Sequence, residues 1–313
     1  MRTAAAAAVT VFLSVLMLSC ASAPEFVSVE RPVHFLPDNP QMVGKMNAVS
    51  NEVLFSEIIG TFLSGGFFND GDMTDNLSGN DEGLQKALGR TENVFFAFNN
   101  PENGGERIFS LIIQGKFPRG ITESMIKKEE GWEKQSSSPR WYKNTISGME
   151  FAVPEKNMIF FSTGKLDEML RRYTSGSRAQ ISYEALKEFE VSDIVLYVGN
   201  PASGLLKGMP VDTEKFPLSS MWFTLFQSRD MYRLSGVFLL SDEKKAKAMA
   251  MLSKILMVGW FRQNKLGTME ELKEQLVIAA AGASVRLSGV YLDSAEVMRL
   301  MFSFMPEDGT GLF

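Results

Sequence analysis

The sequence holds a single cysteine, Cys20, and a single histidine, His34, in 313 residues. With one cysteine no internal disulfide can form, so stability has to come from packing. His34 stands beside Phe35 with no serine, cysteine or carboxylate partner placed nearby, so it reads as structural or solvated. Also missing are a Gly-rich phosphate loop, a His-Glu-x-x-His motif and a nucleophile elbow. Ser235-Gly236 and Ser288-Gly289 lack a nucleophile frame. Asp167, Glu168 and Asp193 read as caps and solvated faces. The pattern points away from an enzyme and from any cofactor or metal. Only an activity built on carboxylates alone, such as glycoside hydrolysis, is left open. Asp70, Asp72 and Asp81 approach calcium-loop spacing, but Asp75 stands where the sharp turn needs glycine, and Thr74 replaces an acidic ligand. A basic excess is missing too: 32 Lys and Arg face 37 Asp and Glu, a net charge of −5. That balance argues against a nucleic-acid role and against purely electrostatic attraction to anionic lipid.

What is present begins with a leader. Arg2 is followed by the apolar run Ala4–Leu18, broken by Thr10 and Ser14, and then by Met17-Leu18-Ser19-Cys20. The run is too short for a stable spanning helix. It resembles the signal peptide and lipobox of a bacterial lipoprotein, with Met17 in the relaxed form familiar from spirochaetes. The resemblance implies cleavage before Cys20 and acylation of Cys20, including palmitate. Residues 1–19 are then the signal peptide. Residues 20–40, with Pro24, Pro32 and Pro37, read as a lipidated tether.

The remainder reads as two similar halves, 41–174 and 175–313. Val94–Asn99 runs into Asn100-Pro101, and Val195–Gly199 runs into Asn200-Pro201. Long strands follow at Ile108–Phe117 and Tyr232–Leu240. Helices follow those, at Thr122–Glu130 and Asp242–Val258, and each stops at Gly-Trp (Gly131-Trp132, Gly259-Trp260). Further strands are expected at Trp141–Thr145, Met149–Val153, Met158–Ser162 and Ala283–Leu292. Helices Leu166–Tyr173 and Ser294–Phe304 close the halves, and a short helix around Tyr183–Phe189 lies in the connector. The fold class is α+β: two similar halves of mostly antiparallel sheet with flanking amphipathic helices, an internal repeat.

Three helices carry broad apolar arcs. Ser50–Leu63 offers Phe55, Ile59 and Phe62, with Ser50 or Asn51 as cap. Asp242–Phe261 opens on the cap Ser241 and offers Met249, Leu252, Leu256, Met257, Trp260 and Phe261. The last helix opens on a capping box, Asp293 and Glu296, and offers Met301 and Phe302. These side chains, with Cys20 as the lipidation site, are the candidate membrane and lipid contacts.

The lipobox and the helix character together resemble spirochaetal lipoproteins of the outer membrane's inner face, in particular the treponemal concealed outer-membrane lipoproteins. That resemblance implies an α/β/α body whose amphipathic helices sense and enter bilayers and raise permeability. The expected function is a non-enzymatic, lipid-anchored envelope protein at the periplasmic face of the outer membrane, whose amphipathic helices contact or insert into the membrane, affecting permeability or carrying lipid. Its expected partner is membrane lipid, with an envelope protein as the other partner class and no nucleic acid. The alternative is a periplasmic binding or scaffold module holding a protein or apolar ligand between the halves.

Overall fold

The computed structural model describes residues 32–56, 89–99, 108–117, 131–135, 139–146, 148–199, 201, 218–263 and 275–303. The leader, the 69–83 loop and the expected helix at 122–130 lie outside them. The chain divides into two compact units, Met1–Asp38 with Met46–Gln180 and Asn39–Lys45 with Ile181–Phe313. The division falls inside strand β1 (Met42–Asn47).

In the first unit a 3-10 turn (Pro32–Phe35) precedes β2 (Thr91–Asn99), β3 (Ile108–Gly115), β4 (Trp132–Lys134), β5 (Trp141–Asn144), β6 (Glu150–Glu155) and β7 (Met158–Ser162). They run in the order β2-β3-β7-β6-β5-β4, each neighbour antiparallel. Phe and Ile recur in these strands, as half-buried pleated surfaces favour. Residues alternate between faces. Ile113, Ile159, Phe161, Phe151 and Tyr142 gather on one face into a core cluster with Phe117. The other face is covered by helix α1 (Leu166–Ser175), whose Leu166, Met169 and Leu170 are buried at helical spacing. Each such side chain contributes about 1.5–3 kcal/mol by leaving water. The first turn of α1 is held from the sheet: Glu150 Oε2 accepts from Leu166 N (2.9 Å) and Ser162 Oγ from Lys165 N (2.8 Å). Gly176, at φ +67, ends the helix in the left-handed conformation that glycine adopts freely.

The second unit holds α2 (Tyr183–Val191), β8 (Ile194–Val198), β9 (Leu218–Ser228), β10 (Met231–Leu240), α3 (Glu243–Gln263), β11 (Val277–Ala281), β12 (Ser284–Leu292) and α4 (Ser294–Ser303). Its strand order is β11-β12-β10-β9-β8-β1, with antiparallel registers from β8 through β11. α2 starts on a serine cap, Ser182 Oγ accepting from Ala185 N (3.3 Å). α4 starts on the expected capping box: Asp293 Oδ1 accepts from Glu296 N (2.7 Å) and Glu296 Oε2 from Asp293 N (2.9 Å).

Two local expectations change, and a side-chain turn precedes the helical turn at 52–56. Gly259-Trp260 does not end a helix, because α3 runs through it to Gln263, whereas Gly131 turns at φ +90 just before β4. The cap of α3 is Asp242, whose Oδ1 accepts from Lys245 N (2.8 Å); Ser241 lies one residue too early and donates to Asp242 instead. At residues 47–51 the turn is made by Asn47, whose Oδ1 accepts from Val49 N and Ser50 N.

Candidate functional site

Among the described residues of the second unit, the two most exposed large apolar side chains lie on α3. Its sequence is apolar around most of its circumference, so composition alone cannot choose the side that meets the sheet. The structure chooses Ala246, Met249 and Ser253, which are buried where α3 packs on β10, β11 and β12. The opposite side then faces water. Met251 is 80% exposed, Ile255 75% and Leu252 45%. At about 100° per residue, Lys244, Ala248, Met251, Ile255, Gly259 and Arg262 fall on one stripe, and all six are exposed. Lys247 and Lys254 flank it, also exposed. A helix packed on one side of a sheet ordinarily turns polar residues outward. Here the outward stripe has an apolar centre and a cation at each end.

The electrostatics of the first turn are local. The Lys245 backbone N–H beside Asp242 holds its carboxyl below the usual carboxylate range. Glu243 is held low by Lys247, with which it pairs at 2.8 Å. That pair is solvent-exposed on both sides and adds little to stability.

Of the residues expected from sequence to meet lipid, Leu252 is exposed. Met249 on α3, Met301 on α4 and Phe55 in the helical turn at 52–56 are buried. Leu256, Met257, Trp260 and Phe261 lie on α3, and Phe302 on α4, with their side chains outside the description. Cys20, Ile59 and Phe62 lie outside the described residues altogether. Met251 and Ile255 were missed as site residues. Their signal is the seven-residue step from Lys244 to Met251 and from Ile255 to Arg262, which singles out one outward row.

The end of the expected tether is not free chain. Val33 and Leu36 are 1% exposed, and His34 is buried. Arg172 of α1, itself buried, donates through Nε to His34 O (3.0 Å) and pairs with Asp38. Asp38 N donates to Glu168 of α1, and Asp38 O accepts from Asn99 Nδ2 (3.0 Å). Phe35 packs edge-on against Tyr173, at 5.2 Å between ring centroids. His34 Nδ1 accepts from Ala179 N (3.3 Å), a structural use of the lone imidazole. Residues 33–38 are thus clasped to the first unit.

Among the described residues no helix is long and apolar enough to cross a membrane, and no His, Cys, Asp and Glu side chains group as metal ligands. The family model for outer membrane-associated lipoprotein TP0453 matches residues 49–278, more than half of the chain. The chain belongs to the TP0453 family. Solved TP0453 structures share the fold. Crystal form I aligns with a TM-score of 0.58 at 17% identity, covering 89% of this chain and 100% of that one. Crystal form III aligns at 0.57 and 18% identity, covering 88% and 98%. At these identities the likeness concerns the fold. No curated protein matches the sequence. Family membership makes the chain an outer membrane-associated lipoprotein by class, and the mixed, antiparallel architecture is that of its structural neighbours.

Proposed function

We propose that this family member is a non-enzymatic lipoprotein, acylated at Cys20 with palmitate among its chains. It sits on the periplasmic face of the outer membrane, where the outward stripe of α3 contacts the bilayer. The observation that carries the reading is the exposure of Met251 and Ile255 on a helix already packed by its other side. Each large apolar side chain entering lipid contributes about 1.5–3 kcal/mol. That is marginal for a free protein. An acyl anchor turns the contact into an intramolecular event at high effective concentration, so a marginal contact suffices. Leu252 lies at the edge of the same surface. Met249, Met301 and Phe55 would join only if their helices left the core. Such a rearrangement, disordering the leaflet, is how the protein would raise permeability.

Vesicle flotation tests the reading on the processed chain, residues 20–313 with Cys20→Ser, so that no acyl chain drives association. The parent is expected to float. Met251→Glu/Ile255→Glu should stay at the bottom of the gradient with an unchanged far-UV spectrum, because both positions face solvent. Equal flotation of parent and variant would sink it.

A further inference from the structure

We infer that the α3 surface selects lipid bearing net negative charge, an inference that rests on the reading of α3 as the bilayer contact. The chain as a whole is acidic, at −5, which would oppose such a surface. Charge is distributed unevenly, however. Residues 242–263 carry five cations, Lys244, Lys245, Lys247, Lys254 and Arg262, against two acids, Asp242 and Glu243. Both acids sit in the first turn and are engaged there, Asp242 with the Lys245 N–H and ammonium and Glu243 with Lys247. Lys244, Lys254 and Arg262 have no acidic partner among the described residues, and all three are exposed.

Their placement matches a helix lying in the interface. Lys244 and Arg262 end the stripe whose centre is Met251 and Ile255. At 1.5 Å per residue they stand roughly 27 Å apart. With the apolar centre dipping below the headgroups, the two end side chains can lay their stems along the acyl boundary and lift their charges to the phosphates. Lys254 does the same on one flank. A lipid layer without net charge would leave three desolvating cations uncompensated. A layer with net negative charge attracts each by about fivefold in affinity, and the attraction falls as salt rises. A protein partner could also match an apolar row with cationic ends, but it would not respond to lipid headgroup charge.

The experiment compares binding of the processed Cys20→Ser chain to phosphatidylcholine vesicles with and without phosphatidylglycerol, at low and high salt. Parent binding should strengthen with phosphatidylglycerol and weaken with salt. Lys244→Gln/Lys254→Gln/Arg262→Gln should lose about a hundredfold on the anionic vesicles while its binding to neutral vesicles is no weaker than the parent's. Single Lys254→Gln, which touches no helix end, should lose about fivefold and guards against a folding defect in the triple variant. Equal binding to both vesicle types, unchanged by the triple substitution, would overturn the selectivity and leave the apolar contact standing. No binding to either vesicle, with crosslinking from position 255 to a discrete envelope protein, would overturn both.

Discussion

Arg172 is the residue on which the position of the 33–38 segment turns. It is buried, and its guanidinium serves His34 O and Asp38 together. Arg172→Leu should destabilise the fold by about 2 kcal/mol, the scale of hydrogen bonds to a charged group. Chymotrypsin should then cut after Phe35 far faster than in the parent, and an unchanged cleavage rate would contradict the clasp. Lys45, on β1, gives a pH prediction. Its ammonium is buried and donates to Ser192 O (3.1 Å). Burial pushes its pKa below the ordinary 10.5, with Asp193 opposing. The unfolded chain therefore binds the lysine proton more tightly than the native state does. Stability should rise with pH across the span from the lowered value to 10.5, because the proton that opposes folding is lost there. Urea midpoints measured over that range should climb in the parent and flatten in Lys45→Met.

At the scale of elements, two glycines should respond in opposite directions. Gly289 sits at φ +84 in a bulge of β12, where an added Cβ would lie 1.9 Å from Gln275 O. Gly289→Ala should cost about 2–3 kcal/mol. Gly259 lies in α3, where an added Cβ would meet nothing within 4 Å. Gly259→Ala should add roughly 0.5–1 kcal/mol by lowering the entropy lost on folding. Thermal denaturation of both variants checks the pair. Element existence was legible where the period was clear. β10, β7, α1 and the capping box of α4 stand where the pattern put them, within a few residues. β1 was not legible, because Gly44 and Lys45 interrupt its apolar run. β11 is Ala-rich, which favours no strand. β9 carries no alternation to announce it: Met221–Phe226 is a nearly continuous apolar stretch, the mark of a strand buried on both faces. In the site, amphipathic character was readable but direction was not. A helix apolar nearly all round hides its packing face until the sheet beneath it is known.

For the whole molecule, the decisive test concerns Cys20. Cys20→Ser should abolish incorporation of labelled palmitate and lower, without abolishing, the share of the chain in the membrane fraction of cells, the remainder being held by α3. Persistent membrane association at the parent level would place all of the attachment in the body. Net charge and composition were legible from the start and pointed away from nucleic acid. They averaged over the chain, though, and so concealed the cationic balance of α3, which emerges when the helix is counted by itself. The clasp at 33–38 has a mechanical corollary. Once Cys20 is fixed in a leaflet, only the stretch between it and residue 32 sets how far the body can stand off. Twelve peptide steps at about 3.5 Å each cap that leash at roughly 40 Å. On the proposed anchorage, diffusion of the body would be confined to a shallow hemisphere above its own footprint, about as deep as one bilayer.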